Sequence, residues 1–271
     1  PALALQKEFG IQVDFVAIQP DGSIDVTHLA ELLSQDVTTL VSLMHVNNEV
    51  GVVLDLERIA IICKEHNALF HSDTVQSVGK TEIDLKALPI DFISASAHKF
   101  HGPKGIGFAF IRKNSGLQPL LLGGEQEKGM RGGTESIYQV AGMAKALEMA
   151  YANLDAERAY ISDLKKYCIG QLAQAFPNSK VIGSENGFYN IINIILPLSD
   201  EKAGMLLFHL DIKGIAVSRG SACQSGSSNP SHVLAEILSP DELTKPSLRI
   251  SFSHYNTKED IDYLIEVLKT A

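Results

Sequence analysis

Several classes of function are excluded by what the sequence does not contain. No run approaches 18 consecutive apolar residues, which argues against a membrane span, and no secretory leader is visible in the residues given. Positive charge is short: 23 Lys and Arg face 32 Asp and Glu, a net charge of −9, whereas a nucleic-acid partner needs a basic face to neutralise phosphates. Cysteine is scarce. Cys63, Cys168 and Cys223 are odd in number and far apart, which fits neither a disulfide framework nor a CxxC metal site and points to a reducing, cytoplasmic setting. No ligand spacing of His, Cys, Asp or Glu recurs, so no metal is expected. Internal repeats and low-complexity tracts are absent as well. The chain opens on Pro1 without an initiator methionine, so the expectation is that residues are missing at its front.

What remains is an ordinary soluble composition. With 271 residues, 45% hydrophobic and 20% charged, the chain can bury a sizeable core. Strand-like alternation over 11–18 is followed by a Pro20-Asp21-Gly22 turn and a short helix capped by Asp25. Strands are then predicted at 39–46, 68–71, 91–96 and 106–111, with a helix carrying Leu56, Ile59, Ala60 and Cys63 on one face. This alternation predicts an α/β fold with a mostly parallel sheet. After the glycine-rich loop GGEQEKGMRGGTE comes a helical tract from Glu135 to about Phe176, broken near Asp155, and the domain hinge is placed there. Strands at 180–182, 190–196, 215–217 and 247–253 and helices at 201–210, after Asn229-Pro230, and behind a Thr257/Asp260 capping box suit a smaller α+β domain. The predicted division is residues 1–150 and 151–271.

Three groups carry chemistry. DFISASAHKFHGPKGIG presents Lys99 just past a strand end, where open α/β sheets build their sites. FHSDTVQ places Asp73 and Gln76 at a second strand end. RGSACQSG holds Cys223 in a Ser/Gly-rich loop, an unusual home for a structural cysteine and a suitable one for a reactive thiolate. Taken singly, Lys99 reads as a solvated loop lysine, Asp73 as a local cap and Arg249 as an edge-strand ion-pair partner. Together, an amine, a carboxylate and a thiol on loops of one α/β protein suggest a covalent cofactor site. Cys63 and Cys168 sit at helical core positions and are read as packing residues.

In order and at their separations, MHVNNEVG, HSDTVQSVGK, SASAHKFHGPKGIG, GMRGGTE, RGSACQSG and LRISF resemble the cysteine desulfurases of the NifS/IscS type, pyridoxal-phosphate enzymes of the class V aminotransferase group. The resemblance covers nearly the whole chain. It implies the type I fold of PLP-dependent transferases, a large domain on a mostly parallel sheet with a smaller C-terminal domain, and a homodimer. Lys99 matches the Schiff-base lysine, which also moves the proton of the substrate α-carbon. Asp73 matches the carboxylate that keeps the pyridine nitrogen protonated, and Gln76 the donor to the ring oxygen. Ser96 and His98 match phosphate contacts. Asn48 matches a residue touching cofactor and substrate carboxylate, and Thr134 one that reaches the partner subunit's phosphate site. Arg249 matches the clamp on the substrate α-carboxylate. Cys223 matches the thiolate that takes sulfur from L-cysteine as a persulfide, releasing L-alanine, before passing it to an acceptor or scaffold protein for iron–sulfur cluster or thio-cofactor synthesis.

Relative to the family, a front segment is lacking, including a phosphate-binding stretch and a histidine that stacks on the cofactor ring. This implies that the chain alone binds pyridoxal 5'-phosphate poorly and turns over slowly. Two alternatives stay open: a selenocysteine lyase or other class V aminotransferase, and a non-catalytic fragment acting as an assembly partner.

Overall fold

A computed structural model of the chain describes residues 2–35, 37–184, 187–198, 200–218 and 231–270. Helix α1 (Ala2–Phe9) leads into an irregular stretch, and α2 (Val26–Leu33) starts where the Asp25 carboxylate accepts the N–H groups of Thr27 and His28. β1 (Leu40–Met44), α3 (Leu56–Glu65) and β2 (Leu69–Asp73) form a parallel crossover, with Asp55 capping α3 through the Arg58 N–H. β3 (Phe92–Ser96) adds in parallel to β2, and β4 (Gly107–Ile111) returns antiparallel, giving a four-stranded sheet in the order β1-β2-β3-β4. Its core holds Leu29, Ile59, Cys63, Phe70, Ile90, Ile93 and Phe100, and each such fully buried apolar side chain contributes about 1.5–3 kcal/mol. Cys63 is enclosed there, as its spacing predicted, and burial pushes its thiol up to about 11.

The predicted helical tract is two helices, α4 (Ile137–Ala152) and α5 (Leu154–Ala175), meeting at Asn153, two residues from the expected break. A second sheet follows, β5 (Lys180–Val181), β6 (Ile191–Ile195) and β7 (Ser247–Ser251), all antiparallel in that order. β6 lies in the middle and is buried along its whole length. α5, α6 (Asp200–Ile212) and α9 (Lys258–Thr270) cover this sheet, and Leu164, Cys168, Leu172, Leu206, Leu210, Leu264 and Leu268 fill the space between. The capping box of α9 forms as read: Thr257 N–H donates to Asp260 and Asp260 N–H to the Thr257 hydroxyl. Two short helices, α7 (His232–Ile237) and α8 (Pro240–Leu243), complete the chain. A small cluster of Val50, Ile182, Ile195 and Leu234 joins the two sheets.

Three expected elements differ. Residues 11–18 are irregular, with one bridge from Ile18 to Ile24 and with Ile11 and Phe15 exposed, because alternation needs a neighbouring strand and none of the described residues supplies one. Residues 215–217 are not a strand, and only Ser218 pairs, with Arg249. The helix expected after Asn229-Pro230 is capped by Ser231 and begins at His232, while positions 229 and 230 lie outside the described residues. Among the described residues no helix is long and apolar enough to cross a membrane, and no group of three or more His, Cys, Asp or Glu could hold a metal ion.

Candidate active site

The register of the parallel strands decides which residues share an edge. Met44 of β1 is level with Asp73 of β2, and Asp73 with Ser94 of β3. All three strands run the same way, so whatever follows them emerges together: Asn48 after β1, Asp73 and Gln76 at the end of β2, and Ser96, His98 and Lys99 at the end of β3. This carboxyl edge is where open α/β sheets bind ligands.

Local contacts fix each turn. Thr74 donates its N–H and its hydroxyl to the Ser94 carbonyl, locking the end of β2 to β3. Asp73 accepts the Val75 N–H through Oδ1 at 2.9 Å, so the local turn bond does form, but it engages one carboxylate oxygen. Gly79, at φ +75°, brings residues 73–80 against Phe100: a Cβ there would stand 2.8 Å from the Phe100 Cβ. Lys99 is half-buried in a single 3-10 turn, Ala97–Phe100, and His98 beside it is exposed. His101 ends that turn in the left-handed region, φ 65°, and Gly102 N–H bonds back to the Ala97 carbonyl at 2.9 Å. Beneath the loop, α4 is held by Gln139 donating to the Lys104 carbonyl, and Gly142 leaves room for Pro103.

Arg249 reaches the same region from the other sheet, donating through Nη1 to the Asn48 carbonyl at 3.0 Å and through Nη2 to the Ser218 hydroxyl at 3.3 Å. Thr134 stands apart, exposed in the loop ahead of α4. Cys223 lies outside the described residues.

Three groups near this edge carried no functional assignment in the sequence. Burial, reinforced by the charge of Lys99, pushes the Lys80 amine down to about 8, so two amines share one neighbourhood. The motif HSDTVQSVGK contains Lys80, but no one-dimensional signal says that its turn folds back toward Lys99. His45 is buried with its Nδ1 2.8 Å from the Ser77 hydroxyl, and burial brings it down to about 4. His101 stacks at a tilt against His254, ring centroids 4.9 Å apart, and His254 Nδ1 lies 3.1 Å from Glu157 Oε2. This ties the Lys99 turn to α5 and to the strand end after β7.

The donor set suits an anionic cofactor with a basic ring nitrogen. The edge gathers a carboxylate to hold a protonated nitrogen, two amines, an imidazole and a hydroxyl for a phosphate dianion, and an amide for a ring oxygen.

The class-V aminotransferase profile matches residues 1–264. The protein called cysteine desulfurase IscS of Dictyoglomus turgidum is 38% identical over 264 residues, covering 97% of this chain and 66% of that one. The mitochondrial cysteine desulfurase of Arabidopsis thaliana is 37% identical over 265 residues, 97% of this chain and 57% of that one. The crystal structure of a NifS-like protein from Rickettsia africae superposes with a TM-score of 0.87 at 32% identity, over 99% of this chain and 72% of that one. The chain thus spans just under two thirds of the first of these relatives, and its fold is the type I fold of the NifS-like enzymes. A profile match running from the first residue to 264, with the motifs of Asn48, Asp73 and Lys99 at one sheet edge, makes the chain a member of the class-V aminotransferase family.

Proposed function

We propose that the chain carries the catalytic body of a cytoplasmic cysteine desulfurase, which takes sulfur from L-cysteine, releases L-alanine and hands the sulfur to an acceptor protein. The observation that carries this reading is the register that sets Asp73 and the turn of Lys99 on adjacent parallel strands at one carboxyl edge. The desulfurase names of the relatives agree with it.

In this reading Lys99 bonds the cofactor, pyridoxal 5'-phosphate, and afterwards moves the α-proton of the substrate with the freed amine. When bound, the cofactor supplies an electron-accepting ring that eases charge build-up at the substrate α-carbon. Asp73 keeps the ring nitrogen protonated, Gln76 donates to the ring oxygen, and Ser96 and His98 hold the phosphate. Arg249 and Asn48 orient the substrate carboxylate, a task for which a planar guanidinium is suited. Cys223 receives the sulfur as a persulfide.

The two cores are taken as a large domain, 1–150, and a small one, 151–271. Leu120, Leu122, Ile137 and Tyr138 are strongly exposed on either side of Thr134, and an apolar surface of that kind supports a homodimer in which Thr134 serves the partner's site.

Borohydride reduction after addition of the cofactor, followed by peptide mass spectrometry, should place the adduct on Lys99, and cysteine should yield alanine with a persulfide on Cys223. An adduct elsewhere overturns the site. Cys223→Ala should abolish sulfide release from cysteine, and amino-group transfer to an added 2-oxo acid that survives the substitution moves the chain to a sister activity such as transamination.

A further inference from the structure

Glu49 is the one buried carboxylate among the described residues, at 1% exposure, and no role has been given to it above. An uncompensated carboxylate at such a position is costly, so its partners matter. Its Oε2 accepts the Ser231 hydroxyl at 2.6 Å, the short distance of a bond to a charged acceptor, from a residue 182 positions later in the chain. The direction is set by chemistry. A carboxylate only accepts, so the single hydroxyl hydrogen of Ser231 goes to Glu49, leaving the serine lone pairs for the Val233 and Leu234 N–H groups that open α7. Glu49 thereby orients the cap of α7.

The surrounding turn is fixed from both sides. Asn47 Oδ1 accepts the N–H groups of Glu49 and Val50 at 2.9 and 3.0 Å. Asn193 of β6 donates to the Glu49 carbonyl at 3.1 Å, and Phe188 N–H to the Gly51 carbonyl at 2.7 Å. One residue before Glu49, the Asn48 carbonyl accepts Arg249 Nη1, and Arg249 in turn holds Ser218 through its side chain and through a two-bond backbone bridge. Ser218 and Ser231 flank residues 219–230, the segment whose sequence includes Cys223. Both ends of that segment are therefore fastened to two consecutive residues, 48 and 49.

We propose that the turn from Asn47 to Val50 is a positioning element for the Cys223 segment, with the buried Glu49 carboxylate holding one end through Ser231 and Arg249 the other. The functional half of this rests on the desulfurase reading, while the anchoring half does not. Holding Ser218 and Ser231 fixes the two points from which the intervening chain leaves and to which it returns, and releasing one of them lengthens the tether on the Cys223 thiol and lowers its effective concentration. The turn that presents Asn48 to the substrate side is thus the same turn that sets where the segment begins and ends.

The test uses the full chain with added pyridoxal phosphate and the variants Glu49→Ala, Glu49→Gln, Ser231→Ala and the double Glu49→Ala/Ser231→Ala. Glu49→Ala should raise hydrogen exchange at the α7 amides about tenfold, the scale of one bond to a charged group, and leave α9 unchanged. Ser231→Ala should do the same, and the double variant no more than the larger single. In a single turnover with L-cysteine, persulfide on Cys223 should form about tenfold more slowly in Glu49→Ala while the bound-cofactor absorbance is unchanged. Gln, which keeps an acceptor, should restore most of both. Unchanged α7 exchange in Glu49→Ala, or single effects that simply add, overturns the proposal. So does a Glu49→Ala variant whose only defect is cofactor binding. If the unsubstituted chain with its cofactor bound forms no persulfide while the exchange coupling holds, the anchor stands and the desulfurase reading is what fails.

Discussion

The two sheets treat their apolar residues differently. The three-stranded sheet is closed: β6 is buried along its length, and α5 and α9 turn their Leu and Ile stripes onto it. The four-stranded sheet is open. Leu40 on its edge strand is 57% exposed, the strand pattern of β4 has no fully buried position, and α4, sixteen residues long, buries none of its side chains. Around it Phe9, Phe15, Leu120, Leu122 and Tyr138 face outward. The closed half thus satisfies itself, whereas the open half carries the candidate site on a framework whose apolar surface calls for a further cover. Chemistry and stability are therefore expected to separate along the chain.

The sharpest way to break that separation is at Lys99. Lys99→Ala should abolish cofactor trapping and cut cysteine turnover about a thousandfold or more, as expected for a group that both bonds the cofactor and moves a proton. Its unfolding free energy should stay within about 0.5 kcal/mol, since the side chain is half-buried and packs in no core. A large fall in stability in urea would show that the site is structural and the contrast false.

Leu248 is the counterpart in the closed half. It is 0% exposed on β7, next in sequence to Arg249. Leu248→Ala should cost about 3–5 kcal/mol through lost burial and a residual cavity. Ile137→Ala, at 75% exposure, should cost less than about 0.5 kcal/mol in the same denaturation measurement yet weaken self-association by sedimentation. Equal costs at the two positions would mean that α4 is covered within the monomer.

A pH titration sharpens the comparison inside the open half. Burial holds His45 at about 4 in the folded chain, against an ordinary value near 6.5 when unfolded. Above 6.5 the imidazole is neutral in both states and its full contribution is present. As pH falls from 6.5 to 4 the unfolded chain binds a proton that the fold refuses, and stability drops by on the order of 3 kcal/mol before levelling off. His71 and His101 are also held low by burial and add to the same slope. His45→Gln should remove the largest part of it. A slope unchanged by that substitution would place the acid sensitivity elsewhere.

How much of this was legible in the sequence follows from the range of each interaction. Caps, turns and the strand–helix alternation are local, and Asp25 and the Thr257/Asp260 box sit where their spacing puts them. The motif order led to the family, and the parallel alternation to a shared carboxyl edge for Asp73 and Lys99. What could not be read was long-range: the approach of Lys80 to Lys99, the His101–His254 contact, and the 182-residue reach from Glu49 to Ser231. Each depends on how two chain segments pack, and nothing in either segment encodes its partner. The alternation over 11–18 failed for the same reason, since a strand exists only if another lies beside it.

The smallest expected effect tests whether the contrast reaches down to local structure. A helix cap satisfies backbone N–H groups within its own first turn and draws nothing from the sheet behind it. Asp55→Ala removes the cap of α3 in the open half, and Asp260→Ala removes one arm of the α9 box in the closed half. Both should cost about 1 kcal/mol in urea denaturation, despite the very different burial of the cores they border. If the two agree, openness is a property of tertiary cover alone. Should Asp55→Ala cost nothing measurable while Asp260→Ala keeps its full effect, the open half would be unfolding ahead of the closed one, and the two sheets would be separate cooperative units.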